Sequence, residues 1–207
     1  MGELEGVIKY RLDFLQSEPT TENIDMLNTW RSILHGLGLI GQDISRYEGF
    51  GFGNLSQRCQ LDKSQFIISA SQTGNLAELK QSHYVCVEQC DIAKNHVIAR
   101  GPVKPSSEAL THSMFYQLEP SINCVIHVHS LELWRFGLEN DYPCTDESVE
   151  YGTQDMATEI SRLYKSGRLQ QQKTLVMAGH EDGMICFGDS VNQAGMTIVD
   201  LWVKAHI

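Results

Sequence analysis

The 207-residue sequence has little positive charge, with 16 lysines and arginines against 26 aspartates and glutamates. This balance offers no cationic surface for a phosphate backbone, so we expect no nucleic-acid partner. The sequence also has no apolar run long enough to cross a bilayer, and its first five residues lack the basic start of a signal peptide. We therefore expect a cytoplasmic protein with no membrane association.

The sequence also lacks a Cys-x-x-Cys pair, although it contains six cysteines. Several of them lie in apolar runs, where a thiol acts as a small hydrophobic side chain, so we expect reduced core residues. We find no repeat, low-complexity tract or linker. A chain of this length can bury a substantial core, and we expect residues 1–207 to form a single domain.

Apolar periodicity predicts alternating helices and strands, which indicates the α/β class. Apolar residues at helical spacing from Ile24 to Leu37 predict a first helix, capped by Thr20 or Thr21. A glycine-rich turn is predicted over residues 49–53. Further helices are predicted to begin at 105–108 and to cover 153–164 and 191–204, and strands to cover 66–69, 84–87, 96–99, 124–129, 175–177 and 184–187.

A His-x-His pair ends the predicted strand 124–129. Residues two apart point to the same side of a strand, so His127 and His129 can offer two imidazoles to one ion. The pair by itself fits metal ligation and ordinary packing about equally well. A third histidine, His180, follows another apolar strand in a turn with glycines. Three histidines leave one coordination position open for substrate, as in catalytic zinc sites.

The turn that contains His180 also allows plainer interpretations. His180 could bond its own backbone as an ordinary turn residue. The two carboxylates that follow it, Glu181 and Asp182, are interpreted as solvated turn residues, with support of the metal ligands as the alternative.

Four motifs occur in one order along the chain, and together they carry a resemblance. They are Gly53-Asn54-Leu55-Ser56-x-Arg58, Pro105-Ser106-Ser107-Glu108 followed by His112, His127-x-His129-Ser130, and Gly179-His180 followed by Gly183. In order and spacing they resemble the class II aldolase/adducin family, from the first long helix to the carboxyl terminus. The resemblance implies a three-layer α/β/α fold with a central, largely antiparallel sheet, a homotetramer with active sites near subunit interfaces, and a role in carbohydrate metabolism.

The same resemblance assigns roles to individual residues. It implies that a divalent metal, expected to be Zn²⁺, is held by His127, His129 and His180, and that Glu108 is the catalytic acid/base. Asn54, Ser71, Ser106 and Ser107 match positions that bind the substrate or its phosphate, where amide, hydroxyl and helix-start donors suit an anion.

These roles fit one type of chemistry. Breaking a carbon-carbon bond beta to a carbonyl leaves an enolate, whose charge a metal stabilises while a carboxylate moves the proton. We therefore expect an aldolase-type, metal-dependent lyase that cleaves or forms a carbon-carbon bond in a small hydroxy-carbonyl substrate. That substrate would be sugar-like, with or without a phosphate.

Other functions remain open. A sugar-phosphate dehydratase of the same fold would use the same histidines and glutamate. An adducin-like, non-catalytic interaction module is disfavoured because it needs none of these residues. An epimerase is also less favoured, since related epimerases carry aspartate where Glu108 stands. Without the resemblance, Glu108 would be interpreted as a helix-start glutamate facing the dipole, and His112 is interpreted as packing against the sheet.

The sequence departs from the family pattern in Ser69-Ala70-Ser71-Gln72-Thr73-Gly74. Gln72 stands where the family has the glycine of a turn that approaches the phosphate closely. A side chain at a position that needs close approach or a positive φ would disturb the site, although Gly74 could serve after a local shift. If the Gln72 side chain fills this site, a smaller carboxylate or an uncharged sugar becomes the expected ligand.

Overall fold

The computed structural model describes residues 6–207. Residues 1–5, on which the expectation of no signal peptide rests, lie outside the described residues. Within 6–207 the chain forms six α-helices, which are α1 (Asp25–Gly36), α2 (Ala109–Leu118), α3 (Leu131–Glu139), α4 (Gln154–Lys165), α5 (Arg168–Gln172) and α6 (Val191–Ala205). The strands are β1 (Arg11–Gln16), β2 (Gly41–Gln42), β3 (Gly51–Phe52), β4 (Asn54–Arg58), β5 (Phe66–Ser69), β6 (Tyr84–Asp91), β7 (His96–Gly101), β8 (Cys124–His129), β9 (Thr174–Val176) and β10 (Gly183–Gly188).

Eight strands form one sheet in the order β1-β7-β6-β5-β4-β8-β10-β9. Neighbouring strands run antiparallel, except that β1 pairs in parallel with β7. Strands β2 and β3 form a separate two-stranded ribbon. The buried residues of α2, α4 and α5 pack on one face of the large sheet, and those of α1, α3 and α6 on the other. This three-layer α/β/α arrangement confirms the predicted fold class.

The side chains of β8 alternate between the two faces of the sheet and so contribute to both core layers. Val125 belongs to the core on the α2 face, whereas Cys124, Ile126 and Val128 belong to the core on the opposite face. Side chains alternate between the faces of a strand, so His127 and His129 project to the α2 face together with Val125. The sheet therefore places both histidines beneath the helix that follows Glu108.

Most predicted elements are confirmed, and the strands over 66–69 and 124–129 match β5 and β8 at both ends. The predicted cap of the first helix is wrong. Helix α1 begins at Asp25, and Asn23 Oδ1 accepts the Asp25 backbone N–H at 2.8 Å, whereas Thr20 Oγ1 accepts that of Glu22. The pattern also missed β1, β4, α3 and α5. That one domain covers the whole chain stays a prediction.

The cysteines and the helices bear on two further expectations. All six cysteines are free thiols, and Cys59, Cys86, Cys124 and Cys186 are buried, which confirms the expected reduced core residues at these four positions. Each helix in the described part of the chain is too short or too polar to cross a membrane.

The contact between α1 and α6 can be tested at a glycine. A Cβ added at Gly195 would lie 2.2 Å from Trp30 Cδ2, so the helices or the indole would have to move. We expect Gly195→Ala to lower the free energy of unfolding, measured in urea, by about 1–3 kcal/mol. Gly36→Ala is the control, because a Cβ there meets nothing within 4 Å. It should leave stability unchanged or raise it by up to about 1 kcal/mol, and equal losses in both variants would contradict this packing.

Candidate active site

Three histidines from two neighbouring segments meet inside the fold. His127 Nε2 and His129 Nε2 are 2.8 Å apart, and His180 joins them so that the ligand atoms of all three lie within 4.8 Å of one another. Each residue is at most 3% exposed. In tetrahedral zinc sites with Zn–N distances of about 2.0–2.1 Å, ligand nitrogens are roughly 3.4 Å apart. The three histidines therefore form a cluster of the size that one ion needs.

The protonation of the cluster also suits a metal. His127 Nδ1 lies 3.0 Å from the Met184 carbonyl oxygen, and because a carbonyl only accepts, Nδ1 carries the hydrogen. The neutral ring then has its lone pair on Nε2, which faces His129. Burial lowers the pKa of His127 well below its usual value, and His180 and His112 lower it further. Burial does the same to the pKa of His129. Neutral imidazole is the form that binds metal ions.

Glycines allow the turn after β9 to hold His180 against β8. Gly183 pairs with His129 across the β8–β10 ladder, and a Cβ added at Gly183 would lie 2.5 Å from His180 Cδ2. A Cβ at Gly179 would lie 2.4 Å from the Val149 carbonyl oxygen. Neither position has room for a side chain, so both glycines contribute to the placement of His180.

Glu108 lies beside the histidine cluster at the start of α2. It is the N-cap residue of that helix and is 3% exposed. Ser106 Oγ accepts the Glu108 backbone N–H at 3.2 Å. Glu108 and His127 line one small cavity, of about 30 Å³, together with all four residues expected to bind substrate, namely Asn54, Ser71, Ser106 and Ser107. The structure thus brings the carboxylate, one histidine and the polar donors to a common space.

Asn54 has an open hydrogen-bonding position next to this cavity. It lies opposite His127 across the β4–β8 ladder and is 6% exposed. Its Oδ1 atom is buried and has no hydrogen-bond partner among residues 6–207. An unsatisfied buried polar atom is unfavourable by about 1–3 kcal/mol, so a polar ligand group that paired with Asn54 would remove this penalty.

The turn at residues 69–74 departs from the family pattern. Position 72 keeps the left-handed backbone that favours glycine, although its residue is glutamine. Gln72 has a φ of +59°, and its exposed side chain lies at the rim of the cavity, next to Gly6. Gly74 does not take over its place. A Cβ at Gly74 would lie 2.2 Å from Gly41 O and 2.6 Å from Gly51 Cα, so this glycine is needed where the turn packs on β2 and β3.

His112 connects α2 to the sheet, as expected for a packing residue. Its Nδ1 lies 2.7 Å from Ser56 Oγ, and Ser56 Oγ lies 2.7 Å from Tyr116 Oη. Complete burial lowers the pKa of His112 to about 3. The ring is therefore neutral at physiological pH, and it joins one helix face to β4 directly beneath Glu108.

Sequence reasoning missed several aromatic and charged side chains that contact the turn carrying His180. The interpretation of Asp182 as a solvated carboxylate is wrong, because its Oδ2 accepts the Tyr47 hydroxyl at 2.6 Å and its side chain is 13% exposed. Glu181 is exposed, as expected. Tyr151 packs on His180 with ring centroids 4.7 Å apart. Tyr47 and Asp182 are 135 positions apart, so no local spacing could have revealed their contact.

Comparisons with known proteins agree with this geometry. The family model for the class II aldolase and adducin N-terminal domain matches residues 44–205. A methylthioribulose-1-phosphate dehydratase of Leptospira biflexa is 28% identical over 169 residues, which cover 69% of this chain and 78% of that protein. An L-fuculose phosphate aldolase of Methanococcus maripaludis is 27% identical over 150 residues, covering 70% and 76%. The solved sugar-phosphate aldolase from Thermotoga maritima has the same fold, with a TM-score of 0.65, 14% identity, and coverage of 87% of this chain and 90% of that one.

The buried histidines predict an acid-sensitive fold in the absence of metal. In the unfolded chain a histidine pKa returns to about 6.5, so below that pH the unfolded state binds more protons than the folded state. Stability is then complete above about pH 6.5 and is lost as the pH falls toward the folded pKa, which is about 3 for His112. We expect the free energy of unfolding of metal-free protein, measured in urea, to fall from pH 6.5 to pH 5. Each such histidine contributes up to about 1.4 kcal/mol per pH unit.

His112→Leu removes one of these groups and should make the slope shallower by up to about 1.4 kcal/mol per pH unit. A free energy of unfolding that did not change between pH 7 and pH 5 would contradict this account.

Proposed function

The chain belongs to the class II aldolase and adducin family, and from this premise we propose that it is a metal-dependent lyase acting on a small, phosphorylated hydroxy-carbonyl sugar. The observation that carries the proposal is the cluster of three buried histidines, one of which shares a cavity with the buried carboxylate of Glu108. A structural histidine group would not require a buried carboxylate and several polar donors around the same space. Catalysis requires all of them.

We propose His127, His129 and His180 as the metal ligands and Zn²⁺ as the ion, because neutral imidazoles are common zinc ligands and three of them leave a position for substrate. A bound ion would supply Lewis-acid stabilisation of the negative charge that develops on a substrate oxygen. The Nδ1–H of His127 donates to Met184, which orients the ring and keeps its other nitrogen available.

Glu108 is proposed to move the proton. In an aldol cleavage its carboxylate accepts a proton from the substrate hydroxyl, the carbon-carbon bond breaks, and the bonding electrons move toward the carbonyl group. The same proton then returns to the carbon that lost its neighbour. Burial and placement at the cavity suit this role, since a general base must be within hydrogen-bond reach of the proton that it takes.

Neutral donors are proposed to bind the phosphate end of the substrate. Ser106 and Ser107 precede the first turn of α2, where backbone N–H groups and the helix dipole favour an anion. Asn54 and Ser71 line the same cavity from the sheet side. These groups orient the substrate without placing a cation next to the metal.

A dehydratase is the second candidate, and the relative from Leptospira biflexa favours it. In that reaction Glu108 would accept a proton from the carbon next to the carbonyl, a carbon-oxygen bond would break, and the departing hydroxyl would take up that proton and leave as water. An adducin-like module without catalysis is not supported by a site in which the carboxylate and all three histidines are buried together. Tetramer formation and a cytoplasmic location stay predictions.

The proposal can be tested with the two compounds that the relatives act on. We expect zinc-loaded protein to split L-fuculose 1-phosphate or to remove water from methylthioribulose 1-phosphate, with the products identified by mass spectrometry. Glu108→Gln should keep the fold and the bound zinc but lower kcat about a hundredfold to ten-thousandfold, because an amide of the same shape cannot accept the proton.

Glu181→Gln is the matched control, because Glu181 is an exposed carboxylate in the turn that carries His180. It should leave kcat unchanged. Full activity of Glu108→Gln would remove Glu108 from the mechanism, and zinc-loaded parent protein inactive on both compounds would overturn the proposed reactions.

Gln72 provides a separate test of the phosphate end. Glycine accepts the left-handed backbone at this position without strain, and it removes a side chain from the cavity rim. We expect Gln72→Gly to strengthen binding of a phosphorylated sugar, measured by calorimetry, and to leave binding of the same sugar without phosphate unchanged. An equal change for both ligands would show that position 72 does not face the phosphate.

A further inference from the structure

Three side chains next to the histidine cluster form a hydrogen-bonded group, which we call the clasp and which consists of Arg46, Tyr47 and Asp182. Arg46 Nη2 donates to Tyr47 Oη at 2.8 Å, and Tyr47 Oη donates to Asp182 Oδ2 at 2.6 Å. These directions are fixed, because a guanidinium only donates and a carboxylate only accepts. Arg46 Nη2 also lies 3.6 Å from Asp182 Oδ2, which closes the group as an ion pair.

The clasp reaches two of the three histidines. The Tyr47 ring meets the His129 ring edge-on, with centroids 5.0 Å apart. Asp182 lies two residues after His180, and its carbonyl oxygen accepts the backbone N–H of Ser130, the residue after His129, at 2.9 Å. The side-chain bond from Tyr47 to Asp182 adds to this backbone bond and ties a ring packed on His129 to the turn that carries His180.

The backbone at the clasp is strained. Tyr47 and Glu48 have φ values of +48° and +55°, so two successive residues with side chains adopt the left-handed conformation. That conformation is unfavourable for such residues and persists only where surrounding contacts impose it. The Glu48 side chain is exposed, and the turn is held by backbone hydrogen bonds from Gly49 to Arg46 and from Phe50 to Tyr47 together with the side-chain contacts of Arg46 and Tyr47. The strain is explained if the turn must bring the Tyr47 hydroxyl to Asp182.

The charges of the clasp are paired. The guanidinium of Arg46 would by itself oppose a metal ion at the histidine cluster, and its ion pair with Asp182, at 3.6 Å, offsets that charge. Asp182 Oδ1 is buried and has no hydrogen-bond partner among residues 6–207.

We propose that Tyr47 and Asp182, held by Arg46, are positioning residues that keep His129 and His180 at the separation one divalent ion requires. This inference rests on the proposed metal centre but assigns residues outside it. The His129 and His180 ring centroids are 4.9 Å apart. Because the clasp holds the turn against β8, the free energy of metal binding is not needed to move the turn into place.

The experiment measures Zn²⁺ binding to the metal-free 207-residue chain by competition with a chromophoric chelator. The variants are Tyr47→Phe, Asp182→Asn and the double variant, with Tyr84→Phe as the matched control. The Tyr84 hydroxyl also donates a hydrogen bond, to Asn28 at 3.2 Å, but it lies in the core on the opposite face of the sheet. Tyr47→Phe keeps the ring and all charges, so it separates geometry from electrostatics. The absorption spectrum of bound Co²⁺ reports the coordination geometry, and thermal unfolding of the metal-free variants reports the fold.

We expect Zn²⁺ affinity to fall about tenfold in Tyr47→Phe and up to about a hundredfold in Asp182→Asn, with an altered Co²⁺ spectrum in both. The double variant should bind about as weakly as Asp182→Asn, because the Tyr47 hydroxyl acts through Asp182. Tyr84→Phe should bind like the parent.

Affinities of the clasp variants within twofold of the parent would overturn the clasp while leaving the metal centre in place, even if their melting temperatures fell. A parent chain that bound no Zn²⁺ would overturn the metal centre and the clasp together.

Discussion

The site depends on three imidazoles that are buried against one another within a protein interior. Such rings can be accommodated only if they are neutral, because burial and mutual repulsion both disfavour their charged forms. The β8–β10 ladder imposes this arrangement. It fixes Gly183 opposite His129 and Ile185 opposite His127, so the turn between β9 and β10 has to lie over the end of β8. A neutral cluster of nitrogen donors is the chemical result of that strand pairing.

The rest of the site is arranged around that ladder. Strand β4 pairs with the other edge of β8 and sets Asn54 opposite His127. Helix α2 contacts β4 through the hydrogen bond between His112 and Ser56. The start of this helix places Glu108 beside His127. The carboxylate and the donors thus come from elements that each contact β8 or its neighbour. Asn54 and the two strand histidines are placed by the sheet itself, whereas Ser71, Ser106, Ser107 and Glu108 lie in segments that connect its strands and helices.

Much of this could be predicted because the informative residues lie in short, ordered motifs. A strand period of two was enough to place His127 and His129 on one side, and the glycines around His180 indicated a tight turn. Strand β4 escaped prediction for a physical reason. β4 is the polar sequence Asn-Leu-Ser-Gln-Arg, yet all five residues are buried, and several of their polar groups bond partners far away in the chain, such as Arg58 with the carbonyl oxygen of Ile122. No local pattern of apolar residues marks such a strand.

The two candidate reactions illustrate what such motifs can and cannot specify. Aldol cleavage and dehydration both require charge to develop at a carbonyl and both require one carboxylate to move a proton, so they make the same demands on the histidines and on Glu108. They differ in the atom that leaves, which is carbon in one case and oxygen in the other. A group that selects between them must contact that leaving atom, and it can come from any element that reaches the cavity. The shared motifs therefore define the chemistry at the carbonyl, whereas selection of the bond depends on long-range contacts of the same kind as those of Tyr47 and Tyr151, which no local spacing predicts.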